Sequence, residues 1–518
     1  MNGIDPIELN LFSSRVSAIC DEMGLVLKRA AFSPNIKDRL DYSCAIFDIK
    51  GEMLAQADHM PVHLGSMAYA MHSIVKDKDW MQGDLLVLND PFLGGTHLPD
   101  VTVISPVFLD DSRLSGFVVN RAHHANIGCN IPGSMPISSR IEEEGLVIPP
   151  TFLFRAGVLQ KDSAQLLGIT DNVLSGDFAA QAGANKIGRI RLEQLIEKIG
   201  WTTYQQNIEQ LNNFAEEISS ATISKLKPGT YKFTDFLDDD GCGTVNIKLA
   251  LTMEIISDSV MLDFTDSSAM VKGNLNCPKA VVAAASYYCF RCLMPSYTPA
   301  CHGLFRNIEI KTCEGSILNA KRPAAVAAGN VETSMRLVDL IFGVLAKASP
   351  ELIPSAAQGT MNNIAMGLID EDKGSRWDYY ETIAGGTGGG PTFKGLDGKH
   401  SHMTNTLNTP VESVEMYYPL RISRYELRRQ SGGKGRNRGG NGIIREYEFQ
   451  DDAHVTILSE RRTTGPWGLQ GGESGDPGKN LFNDNPVPSK CSLKASKGDR
   501  LTILTPGGGG WGSASRMS

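Results

Sequence analysis

No run of the 518-residue chain is apolar for long enough to cross a membrane; the longest, such as Ala280 to Tyr288, fall far short of the ~20 residues a span needs. Positive charge is not in excess either. Lys and Arg number 50 against 58 Asp and Glu, for a net charge of −8 spread along the sequence, so no basic face of the kind that grips a phosphate backbone is expected. Nucleic acid and membrane are therefore set aside as partners. The opening Met1-Asn-Gly-Ile-Asp-Pro6 has neither a basic segment nor an apolar one of the signal-peptide kind. The ten cysteines are scattered without framework spacing, which suits reduced thiols, and a soluble cytoplasmic protein is expected.

Several catalytic signatures are missing too. There is no GxSxG elbow, no HExxH and no Walker A loop. Gly432-Gly-Lys-Gly-Arg-Asn-Arg-Gly-Gly440 superficially resembles a phosphate loop, but it lacks the closing Gly-Lys-Ser/Thr and leads into no helical pattern. A chain of this size without a nucleotide cradle is not expected to bind ATP by itself.

What is present is material for several structural units. Ile7 to Ala31 repeats apolar residues at three- and four-residue steps behind Asp5 and Glu8, which predicts an amphipathic helix. Short apolar runs at Cys44 to Ile49, Leu85 to Leu88, Val101 to Phe108 and Phe117 to Asn120 then predict strands of one sheet. Helical spacing returns from Asn185 to Gly200 and from Thr203 to Leu226, and a Pro-Gly turn at Pro228-Gly229 ends it. Alternation at Thr230 to Phe236, Val245 to Ile256 and Val260 to Phe264 predicts a second sheet, followed by buried helices at Lys279 to Met294 and Asn330 to Ala348. Strands are expected again at Arg421 to Arg428, Gly442 to Phe449, His454 to Leu458 and Arg500 to Leu504. The expected fold class is thus mixed α/β (α+β) in several units: an N-terminal α/β region over 1–226, a central mixed region over 227–384 and a β-rich C-terminal region over 385–518. Of the 53 glycines, 25 lie between Gly385 and Gly512, which predicts tight turns and close backbone approaches there.

The densest chemistry lies in Asn89-Asp-Pro-Phe-Leu-Gly-Gly-Thr-His-Leu-Pro-Asp100 and Arg121-Ala-His-His-Ala-Asn-Ile-Gly128. Adjacent strands ending together would bring His97, Asp100 and the pair His123 and His124 to one rim. Imidazole nitrogens and carboxylate oxygens without a thiolate form a ligand set for catalytic Zn²⁺ or Mn²⁺ with an open position. Asp41, just before the first strand, is the candidate fourth ligand. Consecutive residues on a strand face opposite ways, so one of His123 and His124 is expected to serve, not both. Read singly, these residues are ordinary turn histidines and an Asp cap; their concentration beside a Gly-rich turn is what raises the metal reading. Cys289-Phe-Arg-Cys292 has CxxC spacing but no second pair and reads as buried structural thiols. Cys301-His302 is adjacent in sequence, which does not make a dyad.

Near end to end, the sequence resembles the hydantoinase B/oxoprolinase family. The resemblance is carried by Asp41-Tyr-Ser-Cys-Ala-Ile-Phe-Asp48, His59-Met-Pro-Val-His-Leu-Gly65, Asn89 to Asp100, Asn120-Arg-Ala-His-His124, Gly329-Asn-Val-Glu-Thr-Ser334, Gln358-Gly-Thr-Met-Asn-Asn363, His400-Ser-His-Met-Thr-Asn-Thr406 and Pro506 to Gly512. It implies a two-component hetero-oligomeric enzyme: a separate A-type, ATP-binding subunit phosphorylates a lactam oxygen, and the B-type chain completes the hydrolysis of a cyclic amide such as hydantoin, N-methylhydantoin or 5-oxoproline. An acetone-carboxylase-like subunit and a non-catalytic scaffold for the A-type subunit are the alternatives. The implied metal ligands are Asp41, His97, Asp100 and one of His123 and His124, with His123 preferred. Glu332 and Glu381 are the candidate general bases or substrate ligands. Gly385, Gly386, His402 and Asn405 are expected to face substrate, the glycine-built loops closing over the metal. Family members commonly have Asp where this chain has Asn126, which would weaken an acceptor behind the metal histidine.

Overall fold

The computed structural model describes residues 5–514, apart from 58, 111, 170–173, 175 and 371–374. Helix α1 (Pro6–Ala30) opens the fold: Asp5 caps it by accepting from Ile7 N at 2.9 Å, Pro6 occupies its first turn, and Lys28 and Arg29 sit at its negative C-terminal end. Its stripe Phe12, Val16, Ile19, Met23 and Leu27 is buried, as its periodicity predicts. A short helix α2 (Pro34–Lys37) then leads to β1 (Tyr42–Phe47) and β2 (Met53–Gln56). Helix α3 (Pro61–Val75), which no periodicity in the sequence announces, precedes β3 (Leu85–Leu88), β4 (Asp100–Leu109), β5 (Arg113–His123), β6 (Thr151–Arg155) and β7 (Val158–Leu159).

These seven strands form one antiparallel sheet in the order β2-β1-β5-β4-β3-β6-β7. After α4 (Lys161–Leu166), the long helices α5 (Gly176–Ile199) and α6 (Trp201–Ile223) follow. Helix α5 crosses the sheet and is fastened by amide side chains: Gln181 Nε2 donates to Val101 O at 2.8 Å and Asn185 Nδ2 to Val103 O at 3.0 Å. Both amides are fully buried, so these bonds also satisfy groups that burial would otherwise penalise.

A second sheet, β11-β10-β9-β8, joins β8 (Gly229–Asp239), β9 (Val245–Ile256), β10 (Ser259–Asp263) and β11 (Ile308–Lys311). Helix α7 (Lys279–Arg291) lies between β10 and β11 in sequence and packs on α3 and on α8 (Ser334–Ala348). Helix α8 has 14 buried residues among its 15 and forms the centre of the largest core cluster. It starts from a wide π-helical turn, Gly329–Thr333. A Cβ at Gly329 would lie 2.0 Å from Asn276 O, so only glycine lets this turn approach its neighbour.

The hairpin β12 (Asn363–Asp370) and β13 (Ser375–Glu381) is followed by α9 (Val411–Tyr417), β14 (Leu420–Arg428), β15 (Gly442–Phe449), β16 (Ala453–Leu458), β17 (Lys479–Phe482), β18 (Asn485–Val487), β19 (Lys490–Ala495) and β20 (Arg500–Leu504). They make two antiparallel sheets, β13-β12-β16-β19 and β14-β15-β20-β17-β18. The first draws two strands from each side of residue 385, so hydrogen bonding continues across the position where glycine content rises.

The clustered glycines form a packed array of irregular chain segments. Along Gly507 to Gly512 successive backbone N–H groups go to three different segments: Asp476, Gly440, Ala356, Glu473, Asn437 and Leu469 supply the acceptors in turn, at 2.8 to 3.2 Å. A flat strand has two neighbours; this run has several, and side chains would keep them apart. A Cβ at Gly508 would stand 2.0 Å from Thr387 O.

The C-terminal sheets are tied to α8 and β8 through buried charge. Arg461 Nη2 bonds Asp235 at 2.8 Å and Asp339 at 2.9 Å, Arg336 Nη2 reaches Glu460 at 3.1 Å, and Lys490 Nζ bonds the other Glu460 oxygen at 2.6 Å. Among the described residues no helix is long and apolar enough to cross a membrane.

Candidate metal centre

The strand order places the polar cluster. Asp100 opens β4 and pairs directly with His123, the last residue of β5. Asp41 precedes β1, which pairs with the other edge of β5, and its carbonyl accepts from His123 N at 3.0 Å. Three neighbouring strands thus deliver Asp41, His123 and Asp100 to one end of the sheet. The loop between β3 and β4 adds His97, and α3 adds His63 from its first turn.

Three imidazole nitrogens converge on the Asp100 carboxylate. His63 Nε2 lies 3.2 Å from Oδ2, His97 Nε2 3.1 Å from Oδ1 and His123 Nδ1 3.2 Å from Oδ1. Asp41 stands 3.8 Å from His63 and 4.0 Å from His123. Thr96 Oγ1 at 2.8 Å and Asn330 Nδ2 at 3.0 Å also donate to Asp100 Oδ2. All five ligand-type residues are buried. They surround a cavity of about 10 Å³, enough for one water-sized or ion-sized occupant.

The donor set fits a divalent cation on three observations. One ligand atom each from His97, Asp100 and His123 lies within 4.8 Å of the others. His97 Nδ1 is 3.1 Å from Ala327 O; donating there leaves Nε2 bare toward the cluster, where it makes no hydrogen bond of good geometry. Donors are N and O with no thiolate, the combination that suits Zn²⁺ or Mn²⁺.

Electrostatics follow the same plan. Burial works against ionising Asp100, yet the surrounding His63 and His97 and the bond from His123 hold its carboxyl well below the usual range. Burial also opposes charge on His97, but Asp100 outweighs it and the imidazole is raised. For His123 burial wins, and its value falls despite the Asp100 bond. Its ring stacks on Tyr380 at 4.9 Å with a 7° interplanar angle, and the Arg39 guanidinium covers that Tyr380 ring.

Other expected residues are placed differently. His124 points away from the cluster: its Nε2 meets Gln181 Oε1 at 2.9 Å and its ring meets Phe178, as strand alternation requires once His123 faces inward. Glu381 neighbours Tyr380 on β13 and so faces the opposite side of the sheet. There Arg445 Nε at 2.9 Å, Tyr447 Oη, Asn408 Nδ2 at 2.8 Å and Thr409 N at 3.1 Å occupy both its oxygens. Burial alone would raise its carboxyl, but Arg445 and these donors hold it low, the reverse of a base poised near neutrality. Gly385 and Gly386 are built into the glycine array, packed against Gln358 and against Gly440 and Gly508, with no face toward the cluster cavity. Asn126 is exposed and its Oδ1 accepts from Gly128 N at 2.8 Å, so it closes a local turn and does not support the metal histidine.

Glu332 lies in the π turn, two residues from the Asn330 that touches Asp100. Its Oε1 accepts from Met361 N at 2.9 Å and Asn363 Nδ2 at 2.6 Å, while its buried Oε2 makes no hydrogen bond of good geometry among the described residues. Burial pushes its carboxyl up to about 7. A carboxyl raised on folding gives stability that is complete below its unfolded value, near 4.5, and is lost as the pH rises through about 7. Glu332→Gln, which mimics the protonated form, is therefore expected to raise the thermal midpoint relative to wild type at pH 8 and to change it little at pH 5. Equal shifts at both values would show that Glu332 carries no such cost.

His402 is largely covered between α7 and α8, with Nδ1 3.3 Å from Tyr288 Oη and its ring against Phe342; desolvation lowers it to about 4. Asn405 lines a second cavity of about 330 Å³ with Gln56, Leu64, Tyr287, Tyr288 and Phe305. That cavity abuts the cluster: His59, Pro61 and Asn405 face it, while the alternating Met60, Val62, Thr404 and Thr406 face the metal cavity. Asn405 Nδ2 bridges the two walls by donating to His59 O at 3.0 Å.

His63 is a ligand-type residue that sequence reasoning does not single out. Pro61, two residues before it, is the available signal, since proline in a helix's first turn would place His63 at the N-terminus of a helix.

The profile of the family described as hydantoinase B/oxoprolinase matches residues 5–514. A protein named 5-oxoprolinase 1 from Arabidopsis thaliana is 38% identical over 99% of the chain, which spans 42% of that protein's own length. A Pseudomonas sp. (strain NS671) chain proposed as the B-type subunit of a D-/L-hydantoinase is 31% identical, covering 99% of this chain and 91% of its own. The crystal structure of the ATP-dependent caprolactamase from Pseudomonas jessenii superposes with a TM-score of 0.88 at 25% identity, over 99% of this chain and 92% of that one.

Proposed function

Because the chain belongs to the hydantoinase B/oxoprolinase family, we propose that it is the B-type catalytic subunit of an ATP-dependent cyclic-amide hydrolase, working with a separate ATP-binding A-type subunit that phosphorylates the substrate. The observation that carries the reading is the buried convergence of His63, His97 and His123 on Asp100 with Asp41 beside them. Similarity to 5-oxoprolinase, to a B-type hydantoinase chain and to a caprolactamase supports a lactam of that general kind. The near full-length correspondence with the hydantoinase chain supports the two-subunit arrangement.

Asp41, His97, Asp100 and His123, with His63, would hold one divalent cation, Zn²⁺ or Mn²⁺. Bound there, it supplies Lewis acidity, which lets water attack an amide carbon near neutral pH. The chain supplies the rest. Ala327 O fixes the His97 tautomer, and Thr96 and Asn330 orient Asp100. Glu332 lines neither cavity, so it is assigned to holding the Gly329–Thr333 turn that carries Asn330, through the bonds it accepts from Met361 N and Asn363 Nδ2. The 10 Å³ space at the cluster is too small for a lactam, so the adjoining 330 Å³ cavity is assigned to the substrate, with Asn405 at the passage between the two. His402 supports that cavity from behind through Tyr288.

The test is to purify the chain alone and with its A-type subunit. Expected is no ATP hydrolysis by the lone chain and ATP-dependent opening of 5-oxoproline, hydantoin or N-methylhydantoin by the pair. ATP hydrolysis by the lone chain, or a pair that opens no cyclic amide, would overturn the assignment.

A further inference from the structure

Behind His97 lies a carboxylate that the proposed reaction does not use. Glu144 follows a short 3₁₀ turn, Ile141–Glu143, and is fully buried. Its Oε1 accepts from Val326 N at 2.9 Å, Ala327 N at 3.0 Å and Ser138 Oγ at 2.7 Å. The same loop docks on the same segment once more, where Ile141 N donates to Pro323 O at 3.0 Å. Ala327 is the residue whose carbonyl meets His97 Nδ1. The two peptide groups that lead into this carbonyl are therefore set by one side-chain oxygen. Three residues on, Asn330 of the same segment donates to Asp100.

We propose that Glu144 is a positioning residue for the metal centre: by clamping the Val326 and Ala327 amides it aims the Ala327 carbonyl at His97 Nδ1, and so presents His97 Nε2, unprotonated, to the cation. Burying a carboxyl has a cost, and backbone N–H groups of an irregular segment can be satisfied more cheaply by water or by a neutral side chain. The arrangement is explained if the position of Ala327 O matters more than that cost. The bond to the distal nitrogen of a ligating histidine fixes the tautomer and ring plane, and losing such support typically weakens metal binding about 10- to 100-fold. Among the described residues Glu144 makes no hydrogen bond to the cluster itself; it acts on His97 through the Ala327 peptide and, without contact, through its charge, which Glu144→Gln removes while keeping the acceptor.

The inference rests on the cluster being a cation site, and both can be tested on the full chain without any partner subunit. Metal-free wild type, Glu144→Ala and Glu144→Gln are titrated with Zn²⁺ and with Mn²⁺, and thermal midpoints are recorded without metal. Glu144→Gln keeps an acceptor oxygen and should bind within about threefold of wild type, whereas Glu144→Ala should bind about 10- to 100-fold more weakly. Imidazole ¹⁵N spectra of the zinc-loaded wild type should show His97 protonated at Nδ1. Equal affinities for Glu144→Ala and wild type would overturn the inference, as would a Gln variant as weak as the Ala variant. Should Glu144→Ala not fold, the Gln titration and the wild-type His97 spectrum still decide it, since a proton on Nε2 of His97 is incompatible with the clamp. A wild-type chain that binds neither ion would instead end the metal reading itself.

Discussion

Replacing Asp100 by Ala is expected to remove metal binding and turnover together. Asp100 is the group around which His63, His97 and His123 are arranged, all within 3.2 Å, and it also accepts from Thr96 and Asn330. Its loss leaves three buried imidazoles without their common counter-charge and takes one anionic ligand from the cation. Metal affinity should fall by at least about 100-fold, beyond what a supporting residue costs. Turnover in the assembled enzyme should fall by about 10³-fold or more, since Lewis-acid stabilisation is worth several kcal/mol. His97→Ala should behave alike. Equilibrium dialysis with elemental analysis reads the first effect and lactam opening the second. If either variant kept near wild-type activity in the complex, the chain would be acting as a scaffold for its partner.

The second large effect concerns stability. Arg461 is buried between Asp235 and Asp339, at 2.8 and 2.9 Å, and links the C-terminal sheets to β8 and α8. Arg461→Ala removes the cation and leaves two carboxylates close together away from water. Breaking a buried pair in this way costs about 3 to 5 kcal/mol. The pH dependence has a definite sign. Burial already raises Asp339 to about 6 although Arg461 opposes the rise. A raised carboxyl stabilises the fold fully below its unfolded value, near 3.8, and that stability is lost as the pH rises through the folded value. Without Arg461 the folded value climbs further, so the deficit against wild type should be larger at pH 8 than at pH 5. Urea midpoints at the two pH values measure it; a shift below about 1 kcal/mol at pH 8, well under the cost of a broken buried pair, would mean that the charge network contributes little to joining these elements.

Much of the architecture is legible in the sequence because local pattern and tertiary demand agree. Strands β3, β9, β15 and β20 have the bounds expected from the sequence, and α1 differs by one residue at each end. Asp100 and His123 can be brought together from sequence because each terminates a strongly apolar run, and adjacent antiparallel strands align such ends. Helix α3 escapes because 11 of its 15 residues are buried, which erases the polar face that marks a surface helix. His63 goes unseen with it. Glu144 escapes for a different reason: it ends a run of three glutamates that reads as solvated surface, and only its approach to residues 326 and 327 gives it a role. The glycine cluster is visible as composition, which predicts both tight turns and close backbone approaches without saying which dominates. The second dominates: most of these glycines have no positive φ and are required because neighbouring backbones lie where a Cβ would be.

The most direct measurement is metal content set against ring opening in the assembled enzyme. The chain is purified with the proposed A-type subunit, analysed for Zn and Mn, stripped with a chelator and reloaded, and each form is assayed with ATP and 5-oxoproline, hydantoin and N-methylhydantoin. Expected are one tightly held divalent ion per copy of this chain, loss of ring opening on stripping, and recovery on reloading. A stripped complex that opens a cyclic amide as fast as the loaded one would contradict the assignment of the His63, His97, Asp100 and His123 cluster as the hydrolytic centre.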